Sequence, residues 1–60
     1  MPSDETRRLL KVFGVAVTNL EDALDKKAPA DEIVKCDMEL ADRMRDVIAA
    51  VDRLRSRRFA

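Results

Sequence analysis

Apolar residues recur at spacings of three and four, with polar residues between them, along two long segments of the chain. This is the periodicity of an amphipathic α-helix. The pattern predicts one helix over residues 4–26, a turn at 27–29 and a second helix over residues 30–57. The two apolar stripes consist of Leu10, Phe13, Val17, Leu20, Leu24, Ile33, Cys36, Leu40, Met44, Val47, Val51 and Leu54.

Residues that start and stop helices flank the two segments. Ser3 is a favoured N-cap, Lys26 and Lys27 suit a helix C-terminus, and Pro29 suits the first position of the next helix. Because so short a turn places neighbouring helices side by side, we expect an antiparallel helical hairpin forming one domain over residues 1–60. Acid precedes base by four residues, a helix-stabilising spacing, in Asp4–Arg8, Asp22–Lys26, Asp31–Lys35 and Glu39–Arg43.

The small size of the chain limits how it can be stabilised. A domain of about 60 residues buries only about 60% of the surface that its unfolded chain exposes. Cys36 is the one cysteine and histidine is absent, which excludes an internal disulfide and a structural zinc site. Oligomerisation or docking on another protein remains. We therefore expect an all-α hairpin that pairs with a second copy into a four-helix bundle with coiled-coil packing.

The charges predict how the two copies are oriented. Twelve basic and twelve acidic residues leave a net charge of zero. The first helix is basic early and acidic late, and the second helix is acidic early and basic late. An antiparallel hairpin therefore gathers acid toward its turn and base toward its other end. Head-to-tail pairing places unlike charges together, which favours an antiparallel homodimer.

The residue inventory argues against catalysis. Without histidine there is no His-assisted nucleophile, and Cys36 lies on the apolar stripe as a small hydrophobe. We expect no enzyme activity, no cofactor and no metal. The favoured function is a protein–protein interaction module: a small adaptor, chaperone-like or regulatory subunit. No apolar run is long enough for a signal peptide or a membrane span, so a cytoplasmic location without membrane contact is expected.

Two residues allow two interpretations each. Gly14 lies in a helix interior at the edge of the stripe, where it either permits close approach of another helix or has no role. Asp37 continues the heptad back from Met44 and Val51. It either fixes the register of helix pairing or is a rim residue whose carboxylate reaches water.

Further residues mark candidate contacts with partners. Apolar residues off the main stripes suggest a second surface for another protein or a wider oligomer; they are Val12, Val15, Val34 and Met38. The alternative function is a regulatory bundle that binds RNA or DNA through arginine. Its candidate contacts are Arg7, Arg8, Arg53, Arg55, Arg57 and Arg58. The neutral net charge and the scarcity of aromatic residues make this the less favoured interpretation.

Overall fold

The chain folds into two packed α-helices, which confirms the predicted all-α hairpin. The structure, a computed structural model, describes residues 3–59 and the side chains of 3–58, so residues 1, 2 and 60 of the predicted domain lie outside it. Helix α1 is Asp4–Asp25 and helix α2 is Ala30–Ser56, followed by a 3-10 turn at Arg57–Phe59. The hairpin measures 47 × 18 × 13 Å, so it is one helix thick.

Helix α1 begins with the predicted cap. The Ser3 side-chain oxygen accepts a hydrogen bond from the backbone N–H of Thr6 at 3.1 Å, and the two hydroxyl oxygens lie 3.0 Å apart. Asp4 and Glu5 follow in the first turn, where the helix dipole favours negative charge. Local sequence therefore fixes where this helix starts.

Helix α1 ends in a Schellman motif. The N–H of Ala28 donates to the carbonyl of Ala23 at 2.9 Å, and the N–H of Lys27 donates to the carbonyl of Leu24 at 3.2 Å. Lys27 takes the left-handed conformation, with φ of 54°. Helices commonly place glycine at this position because a Cβ is disfavoured there. The helix thus stops at Asp25, and the lysine at the turn carries backbone strain.

Helix α2 begins after Pro29, which serves as its N-cap residue rather than as its first helical residue. The Pro29 carbonyl accepts from the N–H groups of Glu32 at 3.0 Å and Ile33 at 3.1 Å. The Lys26 ammonium lies 3.9 Å from a Glu32 carboxylate oxygen, so an ion pair joins the two sides of the turn.

The ion pairs along the helices differ from those predicted. Among the described residues, none of the four acid–base pairs at a spacing of four lies within 4.0 Å. Arg43 instead lies 3.5 Å from Asp46, and Arg45 pairs with Asp42. Exposed pairs of either kind contribute only about 0–1 kcal/mol, so the difference changes the stability little.

The two helices pack against each other through residues spaced three and four apart on each helix, and we call this layer the hairpin interface. Its most buried members are Ala16 and Ala23, with 4% and 2% of their surfaces exposed. The larger side chains of this layer are only half-buried. The other members are Leu9, Phe13, Leu20, Ile33, Cys36, Leu40, Arg43, Val47 and Ala50. Neither of the two described helices is apolar over a length that could cross a membrane.

Candidate functional site

Six large apolar side chains lie exposed on one side of the hairpin, and we call this surface the open face. Each of them directly follows a member of the hairpin interface in the sequence. Each therefore lies one residue further around its helix than that member, in the same direction of rotation. Their exposed fractions range from 39% to 57%. They are Leu10, Val17 and Leu24 on α1, and Met44, Ile48 and Val51 on α2.

The two helices contribute to the same side of the hairpin. In an antiparallel helix pair, the residues that follow every second member of the inner layer flank the same side of the helix contact. Leu10, Val17, Leu24, Met44 and Val51 are of this kind, and Ile48 lies one position further from the contact on the same side. Two grooves lie along the helix pair. One, of about 580 Å³, is at the end away from the turn and is lined from both sides of the pair, by Leu10 and Val51 of the open face and by Asp46 and Arg53 of the opposite side. The second, of about 260 Å³, lies toward the turn between Val17 and Leu40. The open face is therefore one continuous surface shared by both helices.

The predicted stripe is divided between two surfaces. Half of its members lie in the hairpin interface, and five of the other six belong to the open face. Leu54, the sixth, is 48% exposed and lines the larger groove. The hairpin alone does not bring the twelve predicted residues into one core.

The residues off the stripes separate in the same way. Val34 precedes Ile48 by two heptads, so Val34 and the neighbouring Met38 extend the open face toward the turn. Val12 and Val15 directly precede interface residues and therefore lie on the opposite side. All four are exposed, by 38% to 64%. The structure thus does not assemble them into one partner surface.

Gly14 is exposed in the middle of the open face on α1. No atom of the hairpin lies within 4 Å of the place where a Cβ would stand, once its neighbours in the chain are set aside. Packing within the hairpin therefore does not require glycine here. In a helix interior glycine costs about 0.5–1 kcal/mol relative to alanine, so any benefit must come from outside the hairpin.

Charged side chains of opposite sign lie toward the two ends of the open face. At the end away from the turn, Arg7 precedes Gly14 by one heptad and Arg55 follows Ile48 by one heptad. Toward the turn, Glu21 follows Gly14 by one heptad and Asp37 precedes Met44 by one heptad. All four charged residues are exposed. The face therefore carries basic residues away from the turn and acidic residues toward the turn, where Glu21 and Asp37 lie among its apolar side chains.

The candidate nucleic-acid residues gather at the basic end. Antiparallel packing places the start of α1 beside the end of α2, and six exposed arginines share this end. Arg53 and Arg57 line the larger groove together with Glu5. The six are Arg7, Arg8, Arg53, Arg55, Arg57 and Arg58.

Arg43 is a member of the hairpin interface that the apolar pattern did not predict. It occupies the hairpin interface between Leu40 and Val47, while the neighbouring Met44 is 46% exposed. One guanidinium nitrogen lies 3.5 Å from Asp46, but the Arg43 Nε is buried without a hydrogen-bond partner. The spacing of Leu40, Arg43 and Val47 is that of an interface position, but Met44 is more hydrophobic than Arg43, so the apolar pattern includes Met44 instead.

Chemistry-bearing side chains are sparse. Cys36 has a free thiol and lies half-buried in the hairpin interface. Within the part of the chain that the structure describes, no group of three or more Cys, Asp or Glu side chains could hold a metal ion. The chain matches no protein-family model, and neither curated proteins nor solved structures give a match.

Proposed function

We propose that the chain is a non-catalytic protein–protein interaction module that self-associates through its open face. The observation that supports this proposal is the imbalance of burial. Among the described side chains, eleven large apolar residues are exposed, whereas Ala16 and Ala23 alone are buried. A protein that functions as a single copy seldom leaves so large a share of its apolar side chains in water.

The shape of the hairpin supports the same proposal. Domains are built from at least two layers of secondary structure that enclose a core, and this hairpin is a single layer of 13 Å. A second layer that covers the open face completes a four-helix core. A homodimer supplies that layer with a surface of matching length and polarity.

The absence of histidine from the sequence and the placement of Cys36 favour a binding role over catalysis. Acid–base and nucleophilic catalysis need a titratable group beside a site that holds a substrate. The two grooves are lined by aliphatic side chains together with carboxylates, and the larger groove also by guanidiniums. Such surfaces suit the side chains of another helix.

The test is the mass and helicity of the whole chain across protein concentration. Because folding is coupled to association, we expect a light-scattering mass of about 13.6 kDa, twice the chain mass of 6.8 kDa, and a midpoint of thermal unfolding that rises with concentration. A mass of 6.8 kDa at about 100 μM with full helical signal and a constant midpoint overturns the proposal.

A second candidate function is nucleic-acid binding, which the gathering of six arginines at one end favours. Arginine is a strong phosphate ligand. Titration of mixed-sequence RNA and DNA at about 50 and 200 mM salt tests it, because phosphate contacts give steep salt dependence. The double variant Arg55→Gln/Arg57→Gln should weaken binding, whereas Lys26→Gln/Lys27→Gln removes the same charge at the other end and should not. Equal effects of the two variants, or no binding at 50 mM salt, contradict this candidate.

A further inference from the structure

We infer that the second copy docks on the open face antiparallel, with the two α1 helices crossing at Gly14. This inference rests on the proposed self-association and adds its orientation and its central contact. Two copies that face each other through this surface can be related by a two-fold axis in two ways. If the turns lie at the same end, α1 faces the partner's α2. If the turns lie at opposite ends, α1 faces the partner's α1, and α2 faces the partner's α2.

The charges of the open face distinguish these arrangements. With turns at opposite ends and Gly14 at the centre, Arg7 and Glu21 lie equally far from the axis on either side. Arg7 of each copy then meets Glu21 of the other. With turns together, Glu21 faces the acidic start of the partner's α2 near Asp37. Like charges in contact oppose association and unlike charges favour it, so the contacts of Arg7 and Glu21 favour the antiparallel arrangement.

Gly14 provides an independent indication of the same contact. Its Cβ position is open in the hairpin, and it lies between Leu10 and Val17 on the open face. A residue without a side chain lets two helix backbones approach closely at a crossing point. The antiparallel arrangement places Gly14 of one copy against Gly14 of the other. Neither residue has a side chain, so both helices can approach at this point. With this inference we adopt the close-approach interpretation of Gly14.

The dimensions of the hairpin suit this pairing. A face of 47 by 18 Å has a projected area of about 850 Å², comparable to the roughly 800 Å² that each partner contributes to a standard stable interface. The apolar residues from Leu10 to Leu24 and from Val34 to Val51 run along this face, with Glu21 and Asp37 among them. The interface therefore combines an apolar surface with the Arg7–Glu21 pairs across the axis.

Gly14→Leu and a matched control test the crossing point. A Cβ at residue 14 meets no packed atom of its own hairpin, and leucine favours the helix. We expect it to weaken dimerisation at least tenfold, measured by sedimentation equilibrium. Asn19→Leu adds a leucine at an exposed position on the opposite side of α1 and should change the dissociation constant less than threefold. Unchanged or tighter dimerisation of Gly14→Leu overturns the crossing at Gly14.

The distance between two spin labels, one on each copy, tests the orientation. The labelled variant leaves every residue of the open face unchanged. Cys36→Ala removes the native thiol, and Ser56→Cys carries a spin label near the end of α2. Ser56 lies about 13 residues from the level of the axis, so the antiparallel dimer predicts a label separation of about 40 Å by pulsed electron spin resonance. A separation below about 25 Å in a sample of dimer mass overturns the orientation but not self-association. Monomer mass at every concentration overturns both the orientation and the proposed function.

Discussion

The backbone N–H of Ala28 donates to the carbonyl oxygen of Ala23 across 2.9 Å, and this bond closes α1 around a lysine in the left-handed conformation. The bond makes the turn tight enough for Lys26 to reach Glu32 on the next helix at 3.9 Å. A six-residue stretch thereby sets the direction in which α2 returns along α1.

Lys27→Gly should stabilise the protein, because glycine adopts the left-handed conformation without the Cβ penalty of about 1–2 kcal/mol. We expect the free energy of unfolding to rise by about 1 kcal/mol in urea titrations. Lys27→Ala removes the same charge but keeps the Cβ, so it should give no such gain. If the two variants change stability equally, the charge rather than the backbone is responsible.

Val17→Asp and Val15→Asp compare the open face with the opposite side of the same helix. Both valines are exposed in the hairpin, by 41% and 51%. Val17→Asp places an unpaired carboxylate in the proposed interface, and we expect dimerisation to weaken by a factor of about 100 or more. Val15→Asp should change it less than fivefold. Sedimentation equilibrium measures both, and equal losses would mean that the association surface is misplaced.

Arg7→Glu and Glu21→Arg form a charge-exchange pair across the proposed antiparallel interface. Each single reversal places like charges opposite each other and should raise the dissociation constant about three- to tenfold at low salt. The double variant should recover most of the wild-type affinity. Since the two residues lie 14 apart on one helix, about 21 Å, recovery cannot come from a contact within one chain. Additive losses in the double variant contradict the antiparallel pairing.

Arg43→Met should stabilise the protein although it removes an ion pair. Methionine keeps the aliphatic packing of the arginine stem and eliminates a buried nitrogen without a partner. We expect a gain of about 1 kcal/mol in the free energy of unfolding. Asp46→Asn breaks the same ion pair at a half-exposed carboxylate and should change stability by less than about 0.5 kcal/mol. A loss of stability in Arg43→Met greater than that in Asp46→Asn contradicts this account.

The local sequence correctly predicted the start of α1 and the turn that leads from α1 to α2. Ser3 caps the helix as expected because an N-cap depends on a side chain and backbone N–H groups within one turn. The left-handed Lys27 was not predictable, since its residue type gives no signal for that conformation. At Lys27 the backbone hydrogen bond from Ala28 to Ala23 outweighs the preference of lysine for negative φ.

The periodicity alone could not predict how the apolar stripe divides between the hairpin interface and the open face. Spacings of three and four describe a band wide enough to include both Arg43 and Met44. Which of these neighbours faces α1 depends on the rotation of one helix against the other, and that rotation is set by the whole layer from Ile33 to Ala50. Hydrophobicity alone favours Met44, whereas packing of the complete layer turns Arg43 inward and leaves Met44 on the open face.

Under the proposed self-association, the single 13 Å layer would link the lifetime of the chain to its abundance. A lone copy presents half-exposed leucines and valines to proteases and chaperones, which act on the unpaired fraction. Mass action shrinks that fraction as synthesis increases. We therefore expect each chain to persist longer when it is produced in quantity, so that turnover removes it fastest when few copies are present.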